Sequence, residues 1–179
     1  MSSVTRTLLL GVLAVGLALP AAAQVRLQVI HNAADPMAAE VDIFINGTLE
    51  LDNFAFRTAT EFLDLPSDTD LVVVVAPSTS TSAGEALETE TFNLPPGTYQ
   101  LIANGVLTPG DFQANPDGVD IAFDLIPGLT AQEEASAPDK VDVRVVHGAT
   151  DAPTVDVRAG GAILFADAPY TGVTDYLPV

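Results

Sequence analysis

One feature constrains this chain more than any other: part of it occurs twice. Val25-Arg-Leu-Gln-Val-Ile-His-Asn-Ala-Ala-Asp35 returns as Val141-Asp-Val-Arg-Val-Val-His-Gly-Ala-Thr-Asp151. A short Pro-containing loop follows each, and then Val41-Asp-Ile-Phe-Ile-Asn-Gly47 returns as Val155-Asp-Val-Arg-Ala-Gly-Gly161. The first copy has two extra residues in the loop between, where Met37-Ala38-Ala39-Glu40 lengthens it. Downstream, Phe56 aligns with Tyr170, Thr60 with Thr174, and Glu61-Phe62-Leu63 with Asp175-Tyr176-Leu177. Such self-similarity marks a repeated supersecondary unit. The second copy reaches only the position of Leu65, at Val179. The expected organisation is therefore one complete copy at 24–130, a polar, Pro/Gly-punctuated linker at 131–138, and the N-terminal part of a second copy at 139–179. Half a sandwich exposes unpaired strand edges. We read the second copy as truncated, or else as completed by a partner chain.

Alternation predicts what the unit is made of. Val25, Leu27 and Val29 share one face with Arg26 and Gln28 opposite, the period of a half-buried strand. Val41, Ile43 and Ile45 do the same and lead into Asn46-Gly47, the favoured pair for a type I′ hairpin. Leu49 and Leu51 return on the partner strand. Further strands are expected near Ala59–Asp64, Val72–Val75, Leu87–Leu94 and Thr98–Val106, the last two joined by a type II turn at Pro95-Pro96-Gly97. A final strand carries Val119, Ile121, Phe123 and Leu125 inward. Ser82–Glu88 is allowed a single helical turn. About eight short strands with regular turn signals predict an all-β fold, an antiparallel Ig-like β-sandwich.

The N-terminus has the form of a secretory signal over 1–23. Arg6 precedes an apolar run from Leu8 to Leu19, and Ala21 and Ala23 supply an A-x-A cleavage site, so the mature chain is expected to start at Gln24. That run is shorter than the roughly 20 residues a membrane helix needs, so no membrane insertion is expected after cleavage. The chain contains no cysteine, which excludes disulfides and lipobox acylation and leaves stability to a packed core. Its 24 Asp plus Glu outweigh 6 Lys plus Arg, for a net charge of -18. Such a surface repels phosphate backbones, which argues against nucleic acid, and anionic lipid is disfavoured for the same reason. The acidity serves solubility, or it supplies oxygen ligands for calcium.

The chain's two histidines, His31 and His147, occupy equivalent places. His31 with Asp35 and Asp42, and His147 with Asp151 and Asp156, contain the residue types of a metal site or of a base and its orienting carboxylate. Strand alternation instead turns both imidazoles toward the core, where hydrogen bonding to the following loop, or to the Asp four residues on, makes them structural. Asp42 and Asp156 are expected to face away from the core. Asp111 and Asp117 in the long loop 108–119, with Asp120 just after it, are calcium candidates, although Asn115-Pro116-Asp117-Gly118 is also a good turn sequence. Tyr99 is expected to tie its hydroxyl to backbone as a tyrosine corner. Asn46-Gly47-Thr48 is a formal glycosylation sequon that reads better as turn chemistry. Nucleophile-elbow, P-loop and zinc-protease motifs are absent from the sequence.

The opening Val-Arg-Leu-Gln-Val-Ile-His-Asn-Ala-Ala-Asp, the Val-Asp-Ile-Phe-Ile-Asn-Gly element and Leu-Pro-Pro-Gly-Thr-Tyr together resemble the bacterial domain-of-unknown-function 4397 family. The second copy, with Val-Arg-Val-Val-His-Gly-Ala-Thr-Asp-Ala-Pro-Thr-Val-Asp-Val, is closer still. The resemblance implies an exported Ig-like sandwich, often in tandem, and no assigned activity. Three functions follow as expectations. The first is a non-catalytic exported module, secreted, periplasmic or on the cell surface, with an unknown protein or glycan partner, no catalytic residues and no cofactor. The second is a calcium-stabilised adhesion module. The third is a metal-dependent hydrolase using His31 and Asp35.

Overall fold

The computed structural model describes residues 24–179, so the expected signal segment lies outside the described residues. Eight strands build two four-stranded sheets. They are β1 (Gln24–His31), β2 (Glu40–Ile45), β3 (Thr48–Ala55), β4 (Leu63–Pro66), β5 (Asp70–Pro77), β6 (Glu88–Asn93), β7 (Gly97–Asn104) and β8 (Asp124–Thr130). One sheet has the order β4-β1-β7-β8 and the other β3-β2-β5-β6. Val25, Leu27, Val29, Leu101, Ala103 and Leu125 of the first sheet meet Val41, Ile43, Ile45, Val73 and Val75 of the second in one core. Two sheets packed through their alternating inner faces make a β-sandwich. Phe44, Val74 and Ala76 form a second buried cluster on the outer side of β2 and β5. Those two strands are thus covered on both faces, and their sequences are apolar almost throughout.

Most of the pairings are antiparallel, as alternation and turns predict, but β1 and β7 run parallel, from Val25 opposite Gly97 to His31 opposite Ala103. The reason lies in the connection. After β1 the chain builds the whole opposite sheet before returning, and so long a crossover permits a parallel neighbour. The β2–β3 turn is the expected type I′, with Asn46 at φ 51 and Gly47 at φ 81. The expected type II turn at Pro95-Pro96-Gly97 does not form, because Gly97 has no left-handed φ and opens β7. Its missing side chain leaves room for the Tyr99 ring, whose hydroxyl donates to the Pro95 carbonyl at 3.2 Å.

The last strand of the sandwich also differs from expectation. Ile121, Phe123 and Leu125 are buried, but Val119 is 40% exposed, and the ladder to β7 begins only at Asp124 opposite Asn104. Asp120 Oδ1 accepts the Ala122 N–H, while Val106 N–H donates to the Ile121 carbonyl and Phe123 N–H to that of Val106, so this stretch is held by a local side-chain bond and an isolated parallel bridge at Val106 and Ala122 instead. β8 runs on to Thr130 through Pro127, which an edge strand tolerates. In the segment expected as a linker, Glu133 takes both its oxygens to Arg26 at 2.6 Å, which holds its carboxyl below the usual range.

Residues beyond 139 form two small antiparallel pairs. β9 (Asp142–Val143) pairs β12 (Leu177–Pro178), and β10 (Val155–Ala159) pairs β11 (Ala162–Ala168). These are the pairings β1 makes with β4 and β2 with β3. Among the described residues no helix is long and apolar enough to cross a membrane.

Candidate functional site

His31 ends β1 with its side chain on the core face and 1% of its surface exposed. Its Nε2–H donates to the Ala38 carbonyl at 2.7 Å, closing the loop that follows the strand. Phe54 and Phe56 flank the ring, with centroids 6.0 and 5.9 Å away. Nδ1 is buried without a hydrogen-bond partner. An imidazolium there would bring a second N–H with nowhere to donate, and burial pushes the His31 pKa down. This neutral, enclosed ring suits a structural role.

Asp35 is not the partner of His31. Its Oδ1 accepts the Met37 N–H at 2.8 Å and caps the short 3-10 turn at Pro36–Ala38. Its Oδ2 accepts the Leu107 N–H, also at 2.8 Å, joining the loop after β1 to the segment after β7. Both oxygens of this 3% exposed carboxylate are thus bonded to backbone. Asp42 faces away from the core as expected, yet it is only 2% exposed. The β2–β3 ladder shifts register between Val41 and Ile43, and Asn53 turns to φ 53, a bulge that takes its N–H out of the ladder. Asp42 accepts that N–H at 3.0 Å and the Ser80 hydroxyl at 2.7 Å. The Val-Asp-Ile element is therefore a bulge cap, and Asp156 does the same for Asp167 N–H at 3.2 Å, beside a register shift in β10–β11.

The three loop aspartates do not converge. Asp111 sits in an exposed 3-10 turn, and Asp120 faces its own backbone. Asp117 Oδ2 takes the Thr154 N–H at 2.6 Å and the Thr154 hydroxyl at 2.9 Å, bonds that hold its pKa below the usual carboxylate range. Among the described residues no three His, Cys, Asp or Glu side chains are grouped to hold a metal ion.

The loop after His147 repeats the frame with other details. His147 Nε2–H donates to the Pro153 carbonyl at 2.9 Å, and Nδ1 accepts from Ala149 N–H at 3.4 Å. Asp151 is exposed and makes none of the bonds that Asp35 makes. Sequence reasoning also passed over Thr60, whose hydroxyl accepts the Val29 N–H at 3.0 Å while its own N–H donates to the Val29 carbonyl. Thr174 does the same for Val145. The alignment of Thr60 with Thr174 was the available signal.

A family profile described as a domain of unknown function, DUF4397, matches residues 23–119. The chain belongs to that family. The matched span holds β1 to β7 with His31, Asp35 and Asp42, the residues whose bonds close the sandwich's loops. No curated protein and no solved structure matches the chain.

Proposed function

We propose that this DUF4397 chain is an exported, non-catalytic β-sandwich module with a binding or spacing role at the cell surface, in a matrix or in the periplasm. We further propose that 139–179 is the beginning of a second module of the same Ig-like type. One observation carries the non-catalytic reading: the polar residues of the family-like motifs are spent on backbone. His31, Asp35 and Asp42 are each at most 3% exposed, and between them they hold one carbonyl and three amide N–H groups. A general base or metal ligand needs a lone pair aimed at space a substrate can enter. The apolar run from Leu8 to Leu19 and the A-x-A site at Ala21 and Ala23 support export.

Two measurements test this. Fractionation of cells producing the full chain, with mass determination of the product, is expected to find it outside the cytoplasm and starting at Gln24. A cytoplasmic, uncleaved product overturns the export reading. A thermal melt of the mature chain with EDTA, then with calcium or zinc, is expected not to move. A shift of several degrees with one ion would replace this reading with the calcium-stabilised adhesion module or the metal-dependent enzyme.

A further inference from the structure

The segment 139–179 is seated on the sandwich through side chains that neither motif accounts for. At the end of β7, Asn104 is 2% exposed. Its Nδ2 donates to the Tyr170 hydroxyl at 3.1 Å, and its Oδ1 accepts from Asn32 Nδ2 at 3.0 Å. Tyr170 is buried against Val106 and Ile121. It aligns with Phe56, and the hydroxyl by which the two differ is the atom that reaches Asn104. Asn115, 4% exposed, donates from Nδ2 to the carbonyls of Thr150 and Ala152 at 3.1 and 3.0 Å. Next to it, Asp117 holds Thr154. The loop considered for calcium thus grips the loop that follows His147.

Gly148 lies at the centre of this contact. Its backbone has no left-handed φ, so conformational freedom does not explain the glycine. Space does: a Cβ there would lie 1.9 Å from Asn32 Nδ2 and 2.6 Å from Asn104 Oδ1. Neither amide can swing aside without breaking the Asn32–Asn104–Tyr170 chain of hydrogen bonds, and unpaired buried amides are costly. Gly148 and Asn32 are also equivalent positions, each directly after the repeated histidine.

We propose that the face built from Asn32, Asn104 and Asn115 is a receiving surface for the post-histidine loop of a second module of this family, and that glycine after the histidine admits that module. The proposal rests on the two-module reading above. It gives the array a direction. The first module, with Asn32 where the docked one has Gly148, presents the receiving face but cannot be received by the same geometry. Consecutive modules are then set at a fixed angle rather than strung on a loose linker.

Amide hydrogen exchange on the mature chain tests it. Gly148→Ala is expected to speed exchange of the Thr154 N–H at least about tenfold while β2 and β5 keep their protection, because a local contact opens without global unfolding. Adding Asn32→Gly to Gly148→Ala removes the nearer of the two clashing amides, at 1.9 Å, and is expected to restore part of the protection. If Gly148→Ala leaves Thr154 protected, the surface does not select glycine and the proposal fails. It fails equally if the double variant is no better protected than Gly148→Ala alone, for then the clash with Asn32 is not what opens the contact. Export and ion dependence play no part in this readout, so it can fail while the function proposed above stands, and the reverse.

Discussion

The loops after His31 and His147 begin with the same backbone frame and finish it with different partners. In both, the histidine backbone is tied across to the equivalent turn: Arg57 N–H reaches the His31 carbonyl, and Thr171 N–H reaches that of His147. In both, Nε2 holds a loop carbonyl six or seven residues on. The first loop is then closed from within, by Asp35 on Leu107 N–H and by Phe54 and Phe56 around the ring. The second is closed from outside, by Asn115 and Asp117 of the preceding sandwich. A motif can thus keep its internal hydrogen bonds while its burial is supplied by whatever lies beside it. The same contrast holds for the strands. Val25 is fully buried in the core between the two four-stranded sheets, whereas its equivalent Val141 is 64% exposed beside a sheet of only two short strands, β9 and β12.

The largest expected effect sets core against its counterpart. Ile43→Ala, at 2% exposure between the sheets, should destabilise the mature chain by about 2–5 kcal/mol in urea unfolding. Val157→Ala, the aligned change on the half-buried face of β10, should cost roughly 1 kcal/mol or less. Equal losses would mean that the second segment has a core the comparison denies it. Next come the bulge caps. Asp42→Ala leaves the Asn53 N–H and the Ser80 hydroxyl without their acceptor and should cost about 1–3 kcal/mol. Asp156→Ala, on a more exposed carboxylate, should stay within about 0.5 kcal/mol by the same unfolding measurement.

Smaller again, Thr60→Val removes the acceptor of one partly buried N–H and should cost about 1 kcal/mol. The matching Thr174→Val should speed amide exchange at Val145 and leave β1 and β7 protected. The least effect concerns one proton. His31 has its folded pKa lowered by burial, so its share of stability is fully present above the ordinary histidine value of about 6.5. It is lost as pH falls through that value toward the folded one, where the unfolded chain binds the proton first. Melts at stepped pH should show this decline in the parent and a smaller one in His31→Gln. An unchanged profile in that variant would mean that His31 titrates as it does in the unfolded chain.

Alternation, turn chemistry and the repeat carried much of this architecture. They placed β1, β2, β5 and the Asn46-Gly47 hairpin, turned His31 inward and tied the Tyr99 hydroxyl to backbone, since each depends on residues within a few positions of one another. They missed the parallel β1–β7 pair, because strand period is blind to the direction of a neighbour. They faced Asp42 away from the core but gave no sign of its burial, because period 2 names a face without saying what covers it, and a bulge N–H and Ser80 reach that carboxylate from distant segments. Asp111, Asp117 and Asp120 looked like a ligand set in sequence, and folding turned Asp117 to Thr154 and Asp120 to its own backbone while Asp111 stayed in an exposed turn. What the chain by itself determined is therefore the local order: strands, turns, and two histidines at matching places in the repeat. What only tertiary structure decided is which polar groups meet, as with Asn104 and Tyr170 or Asp117 and Thr154. Those contacts join residues dozens of positions apart, brought together by sheets that pack to bury apolar area, a force without direction that leaves the polar partners to be settled by the fit.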